Sequence, residues 1–212
     1  MLESYLSIES LAVFFGSYLI GCMTAGYYLV RLRAGVDIRE IGSGSIGARN
    51  VGRILGWTGF LVTMVTDVTK GALAVWLADY FTNRETMAGL AMVSVVAGHV
   101  WPVQLGFRGG KGVASCIGAL AIFDLQLAVI FAVFFAAGLI LARSTLLSGL
   151  LAFSLLPLSS LLLEHPAPKI FAVAVAAGII VVAHRRNLAD AITEMLPDRE
   201  IHSDESSDET TI

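Results

Sequence analysis

LQLAVIFAVFFAAGLILA, Leu125–Ala142, contains no charged side chain and a single amide, Gln126. As a helix rising about 1.5 Å per residue, it nearly spans the ~30 Å hydrocarbon core of a bilayer. Apolar runs recur on both sides of it: Ile8–Val30, Gly56–Phe81, Thr86–Val100, Gly112–Phe123, Leu146–Leu163 and Ile170–Ala183. Only 15% of the 212 residues are charged, against roughly 25% in an ordinary soluble domain. A buried soluble core would not repeat charge-free runs of this length. The pattern implies an all-α, polytopic membrane helix bundle.

The run Gly112–Phe123 is short for a crossing. Either it is a tilted helix that begins inside the protein, giving seven spans, or it is half of one helix bent near Asp124, giving six. Positive charge favours seven. With the N-terminus outside, Arg31, Arg33, Arg39, Arg49, Arg53, Arg108, Lys111, Arg143, Arg185, Arg186 and Arg199 then share the cytoplasmic side. Only Arg84 and Lys169 fall on the other, and Lys70 lies inside a helix. The expected location is a bacterial inner membrane, with the C-terminus cytoplasmic. No basic segment precedes the first run, so it reads as a mature transmembrane helix rather than a cleaved signal. One membrane domain over residues 1–197 is expected, followed by an acidic tail at 198–212 with the composition of a disordered end. Cys22 and Cys116 lie in apolar runs without metal spacing and read as small buried hydrophobes.

This topology brings three polar clusters to one membrane face. The first is GSGSIGARNVGR, Gly42–Arg53. Gly42, Gly44 and Gly47 suit a loop of exposed N–H donors for phosphate, with Ser43, Asn50 and Arg53 close by; the bland reading is a flexible connection. The second, GHVWPVQLGFRGGKGVAS, runs from Gly98 to Ser115. Arg108 and Lys111 flank Gly109 and Gly110, and a helix starting near Gly112 would add a favourable N-terminal partial charge for an anion. The alternative is snorkelling to lipid headgroups. The third is HRRN, His184–Asn187, whose His184 and Asn187 share a helix face.

His99, at the end of a span, is either structural or interfacial, or a general base or phosphate ligand. Asp67 and Lys70 lie inside a span, where ionisable groups pair with each other or face a cavity. Met and Phe residues along the spans read as packing or lipid contacts. The four histidines are dispersed, so no metal site is expected, and no cofactor is implied. No nucleic-acid partner is expected.

These motifs resemble the bacterial acyl-phosphate glycerol-3-phosphate acyltransferase family. The family patterns GSGNxGATNxxR, GHxFPxxxxFxGGKGVAT and HRxNI stand here as GSGSIGARNVGR, GHVWPVQLGFRGGKGVAS and HRRNL, and its Asp-x-x-Lys-Gly element as DVTKG, Asp67–Gly71. The resemblance covers about residues 5–190. It implies seven transmembrane helices, a cytoplasmic active site, and acyl transfer from acyl phosphate to glycerol 3-phosphate, giving lysophosphatidic acid. Implied partners are those two substrates, membrane lipids and the enzyme that makes acyl phosphate. By this resemblance Ser43, Arg53, His99, Lys111, His184 and Asn187 are the catalytic set. Gly42, Gly44, Gly47, Asn50, Arg108, Gly109, Gly110 and Gly112 hold phosphate, and Asp67 with Lys70 shapes the site.

Some positions depart from the family patterns in charge or polar character. Ser45 replaces Asn, Arg49 replaces Thr, and Asp190 stands where Arg falls. They leave open a paralogue with altered substrate or no catalysis. A transporter of phosphorylated solutes would need polar residues through the full thickness and repeated halves, and the chain has neither.

Overall fold

The computed structural model describes residues 7–195, and the acidic tail lies outside them. Nine α-helices and no strand occur among the described residues. They are α1 (Ile8–Cys22), α2 (Ala25–Ala34), α3 (Ala48–Thr82), α4 (Glu85–Val100), α5 (Val113–Phe123), α6 (Leu125–Ala142), α7 (Thr145–Leu162), α8 (Ala167–Ala183) and α9 (Arg185–Met195). Five segments are long and apolar enough to cross a membrane: Ile8–Ala34, Ala48–Thr82, Glu85–Leu105, Leu125–Ala142 and Thr145–Leu162. Val113–Phe123 and Ala167–Ala183 are shorter apolar helices.

Helix ends follow local chemistry. Ser7, Asp124 and Ser144 cap α1, α6 and α7 by accepting N–H bonds from Ser10, Leu127 and Leu147. Two sequence expectations change here. The run Ile8–Val30 is broken at Met23 and Thr24, and the carbonyls the break releases are taken by side chains from elsewhere. Gln104 Nε2 donates to Cys22 O and Lys70 Nζ to Met23 O. The second span starts earlier than its apolar run, at Ala48 inside the first glycine-rich motif, and is interrupted at Gly56 (φ 68°, ψ −163°). Hydropathy missed this start because Arg49, Asn50 and Arg53 lie in the first turns.

α4 is the central helix, packed on α1, α3, α5 and α8. Two of its contacts are set by backbone proximity. A Cβ on Gly21 would strike the Val95 carbonyl, and one on Gly98 the Tyr18 carbonyl. α3 and α5 cross in the same way, with Gly71 against Ser115 O and Gly118 against Val68 O. Small residues let apolar helices approach this closely where no water drives them together. Leu19, Trp76, Val133, Leu141, Leu162 and Phe171 are instead exposed, as an apolar solvent would demand.

The helices alternate between two ends. At one, Arg84 meets Glu9 at 3.2 Å, and Lys169 Nζ bridges Asp124 Oδ2 (2.7 Å) and Glu85 Oε1 (2.8 Å). Asp124, extended at φ −160° and ψ 102°, ends α5 and caps α6. Gly112 and Thr145, at the far ends of that pair, line one cavity, so the chain reverses at Asp124. α5 and α6 are therefore two helices, the second begun by the Asp124 cap. The opposite end gathers the glycine-rich segments and the start of α9.

Candidate active site

The first motif is organised by Asn50, which is buried. Its amide nitrogen donates to the carbonyls of Ile38, Ile41 and Ser45, and its oxygen accepts from Ser43 N at 3.3 Å. Asn50 was expected at phosphate. Both ends of its amide are instead committed to its own loop, so it holds the loop's shape. Gly42, at φ 61°, leaves room for that amide, because a Cβ there would collide with Asn50 Oδ1. Gly44 also has positive φ, at 65°.

The second motif folds back on the end of α4. Gly109 N donates to Val100 O (3.1 Å) and Gly110 N to His99 O (3.0 Å). Gly109 lies against Pro102, and Gly110 against the His99 ring. Gly112, at φ 80°, immediately precedes α5 and, with Val113 and Ala114, lines a cavity.

That cavity has a volume of about 460 Å³. Its polar part is lined by Ser45, Arg49, Asp67, His99, Lys111 and His184, and its apolar wall includes Phe60, Met64, Phe131, Phe135, Leu150 and Phe153. α3 packs on α4 and α5, and α6 packs on α7. No comparable packing joins α3 to α6 or α7 among the described residues, and the cavity fills the seam between them. The wall aromatics were read in sequence as ordinary packing. Their role follows from tertiary placement, which no local pattern carries.

Lys111 Nζ donates to Asn187 Oδ1 at 2.6 Å, joining the second and third motifs. Burial, with the neighbouring guanidinium groups of Arg49 and Arg53, holds its ammonium below the usual lysine range. Arg49 is itself anchored by a 2.7 Å bond to Thr145 Oγ1. Three mutually repelling cations thus converge where the cavity meets the loops. His184 lies at the end of α8, and its Nδ1 is 2.8 Å from Ile180 O. A carbonyl only accepts, so Nδ1 carries the proton and a neutral His184 offers a lone pair at Nε2. Burial pulls this imidazole below its ordinary range; the Ile180 bond opposes that, and Lys111 adds to it.

Gly47 also lines the cavity, whereas Ser43, Arg53 and Arg108 are exposed and stand outside its wall. Arg53 still acts on Lys111 through its charge and lies beside Gly42. Arg108 was expected to bind phosphate and is turned to the surface. His99 is not interfacial: it is buried, with Nδ1 2.8 Å from Lys70 Nζ. Asp67 and Lys70 form the expected ion pair at 2.8 Å, and Asp67 also reaches the cavity. Thr145 lines the cavity without having been singled out in the sequence, whereas Arg49 stood out there as a departure from the family pattern. The side chain of Asp190 lies outside the described residues.

The family model for glycerol-3-phosphate acyltransferase matches residues 11–194. The chain belongs to the glycerol-3-phosphate acyltransferase family. It is 44% identical over 179 residues to glycerol-3-phosphate acyltransferase 1 of Desulfitobacterium hafniense (strain Y51), covering 84% of this chain and 89% of that one. It is 38% identical over 182 residues to the glycerol-3-phosphate acyltransferase of Synechococcus sp. (strain CC9902), covering 85% and 90%. The crystal structure of PlsY (YgiH), an integral membrane glycerol 3-phosphate acyltransferase, in its glycerol 3-phosphate form is 28% identical. It superposes with a TM-score of 0.80 over 87% of this chain and 92% of that one. Membership of this family makes the chain an integral, multi-pass membrane protein.

Proposed function

We propose that this protein transfers a fatty acyl group from acyl phosphate to the 1-position of glycerol 3-phosphate, forming lysophosphatidic acid and phosphate for phospholipid synthesis. The observation that carries this reading is the meeting of Arg49 and Lys111, with Arg53 nearby, with a largely apolar cavity. Two phosphate-bearing substrates need such cations, and only an acyl substrate needs the wall of Phe60, Met64 and Phe131.

An acyl phosphate is already activated, so the protein's work is to align two anions and stabilise developing charge. The glycerol hydroxyl oxygen attacks the acyl carbonyl carbon, the carbon–oxygen bond to phosphate breaks, and phosphate leaves. The hydroxyl proton passes to His184 Nε2, the lone pair left by the Nδ1 bond to Ile180. Lys111 and Asn187, held together, orient glycerol 3-phosphate. Ser43 and the glycine-rich backbone bind phosphate at the entrance.

The seven apolar passages, including short α5 and α8, are read as seven spans with the N-terminus outside. This puts the glycine-rich end at the cytoplasmic face of the inner membrane, where glycerol 3-phosphate and the enzyme supplying acyl phosphate are found. Ser45 and Arg49 both line the cavity, which supports an altered fit in a working enzyme rather than a lost site.

Acyl transfer by the purified protein from palmitoyl phosphate to labelled glycerol 3-phosphate tests the reading. Lysophosphatidic acid should form, and Lys111→Ala should lower kcat by about a hundredfold or more. A folded parent that makes no product with any chain length tried rules the reaction out.

A further inference from the structure

Lys70 lies beneath the polar floor of the cavity, its side chain only 5% exposed. Its ammonium meets three groups: Met23 O at 2.9 Å, His99 Nδ1 at 2.8 Å and Asp67 Oδ1 at 2.8 Å. An ammonium has three N–H bonds and no lone pair. Toward His99 it can only donate, so Nδ1 must present its lone pair there.

Two other arrangements compete. A neutral Lys70 accepting an Nδ1–H from His99 would leave the buried Asp67 carboxylate without the cation that pairs it at 2.8 Å. Alternatively, an Nδ1–H on His99 would have to reach Asp67 Oδ1 across 3.5 Å while facing the ammonium at 2.8 Å. Hydrogen bonds of that length are weak, and the nearer cation repels the proton. Both fail against the simple donation.

We infer that Lys70 fixes His99 as its Nε2–H tautomer, making His99 a hydrogen-bond donor to an anionic oxygen in the cavity rather than a base. The second glycine-rich motif is shaped around this edge of the ring. Gly110 lies against Nε2, where any side chain would collide, and its N–H is bound to His99 O. The two histidines of the cavity then have opposite polarity. His184, fixed by Ile180 O, offers a lone pair at Nε2, while His99, fixed by Lys70, offers a proton. Lys70 is a positioning residue acting through His99. Its effect on rate rests on the acyl-transfer reading, but the tautomer does not.

NMR of the full chain, labelled with 15N-histidine and held in lipid nanodiscs, tests this, with His99→Gln identifying the His99 signals by difference. The parent should show a non-protonated, imine-type Nδ1 and a protonated Nε2 at neutral pH. Lys70→Met should lose that fixed pattern and lower kcat by about a hundredfold, as removal of one preorganised donor does. A protonated Nδ1 or a doubly protonated ring in the parent overturns the inference, whatever the activity. An unchanged pattern in a folded Lys70→Met removes Lys70 from the role. The parent spectrum decides the tautomer even if that variant fails to fold. A parent with the Nε2–H pattern but no acyl transfer would sink the functional reading and leave the tautomer standing.

Discussion

His184 carries the clearest pH signature. The proposed chemistry needs it neutral, and its burial and the Lys111 charge favour that form. The acidic limb of kcat should therefore fall at a lower pH than the ordinary histidine value of about 6.5. Activity is lost as pH drops through that limb. Lys111→Met removes a neighbouring cation, so the His184 midpoint, followed by NMR, should move to higher pH. A midpoint that stays put would separate the two side chains electrostatically. At this scale the sequence was informative about residue types and weaker about their tasks. Lys111, His184 and Asn187 do meet. Asn50 and Arg108 were equally plausible phosphate ligands on paper. Only the carbonyls around the Asn50 amide, and the outward turn of Arg108, distinguish them.

At the level of helices, hydropathy located each apolar segment but not its breaks. The interruption between α1 and α2 occurs inside a continuous apolar run, because Lys70 and Gln104 satisfy the carbonyls it frees. Such compensation comes from far along the chain and leaves no local mark. The α5–α6 reversal was half legible, since Asp124 marked the position and its capping bond determined the geometry. Glycines inside helices were legible only as anomalies. Their purpose is the backbone contact of α3 with α5 at Gly71 and Gly118. Gly118→Val would drive its side chain into the Val68 carbonyl, which cannot swing aside as a side chain can. Overpacking of this kind should cost about 3 kcal/mol. Thermal unfolding in detergent should show a lowered Tm, whereas Gly178→Ala, at a position with open space, should leave it nearly unchanged.

For the whole molecule, the two ends differ in how their charges are used. The Asp124–Lys169–Glu85 cluster pairs its opposite charges, while Arg49, Arg53 and Lys111 bring like charges together at the other end. The native cysteines are buried, so single surface cysteines can report which end faces the cytoplasm. A membrane-impermeant maleimide added to intact cells should label Arg84→Cys and spare Arg108→Cys; the reverse pattern would invert the proposed orientation.

The seam between α3 and the α6–α7 pair has a kinetic consequence. A chain that enters and leaves through it need never be dissolved in water. For such an enzyme the volume of the cell is irrelevant to one substrate and decisive for the other. In the proposed reaction glycerol 3-phosphate arrives from three dimensions and acyl phosphate from two. The rate per enzyme should therefore follow the mole fraction of acyl phosphate in the bilayer and, with glycerol 3-phosphate held at a saturating concentration, stay constant when vesicles of fixed composition are diluted.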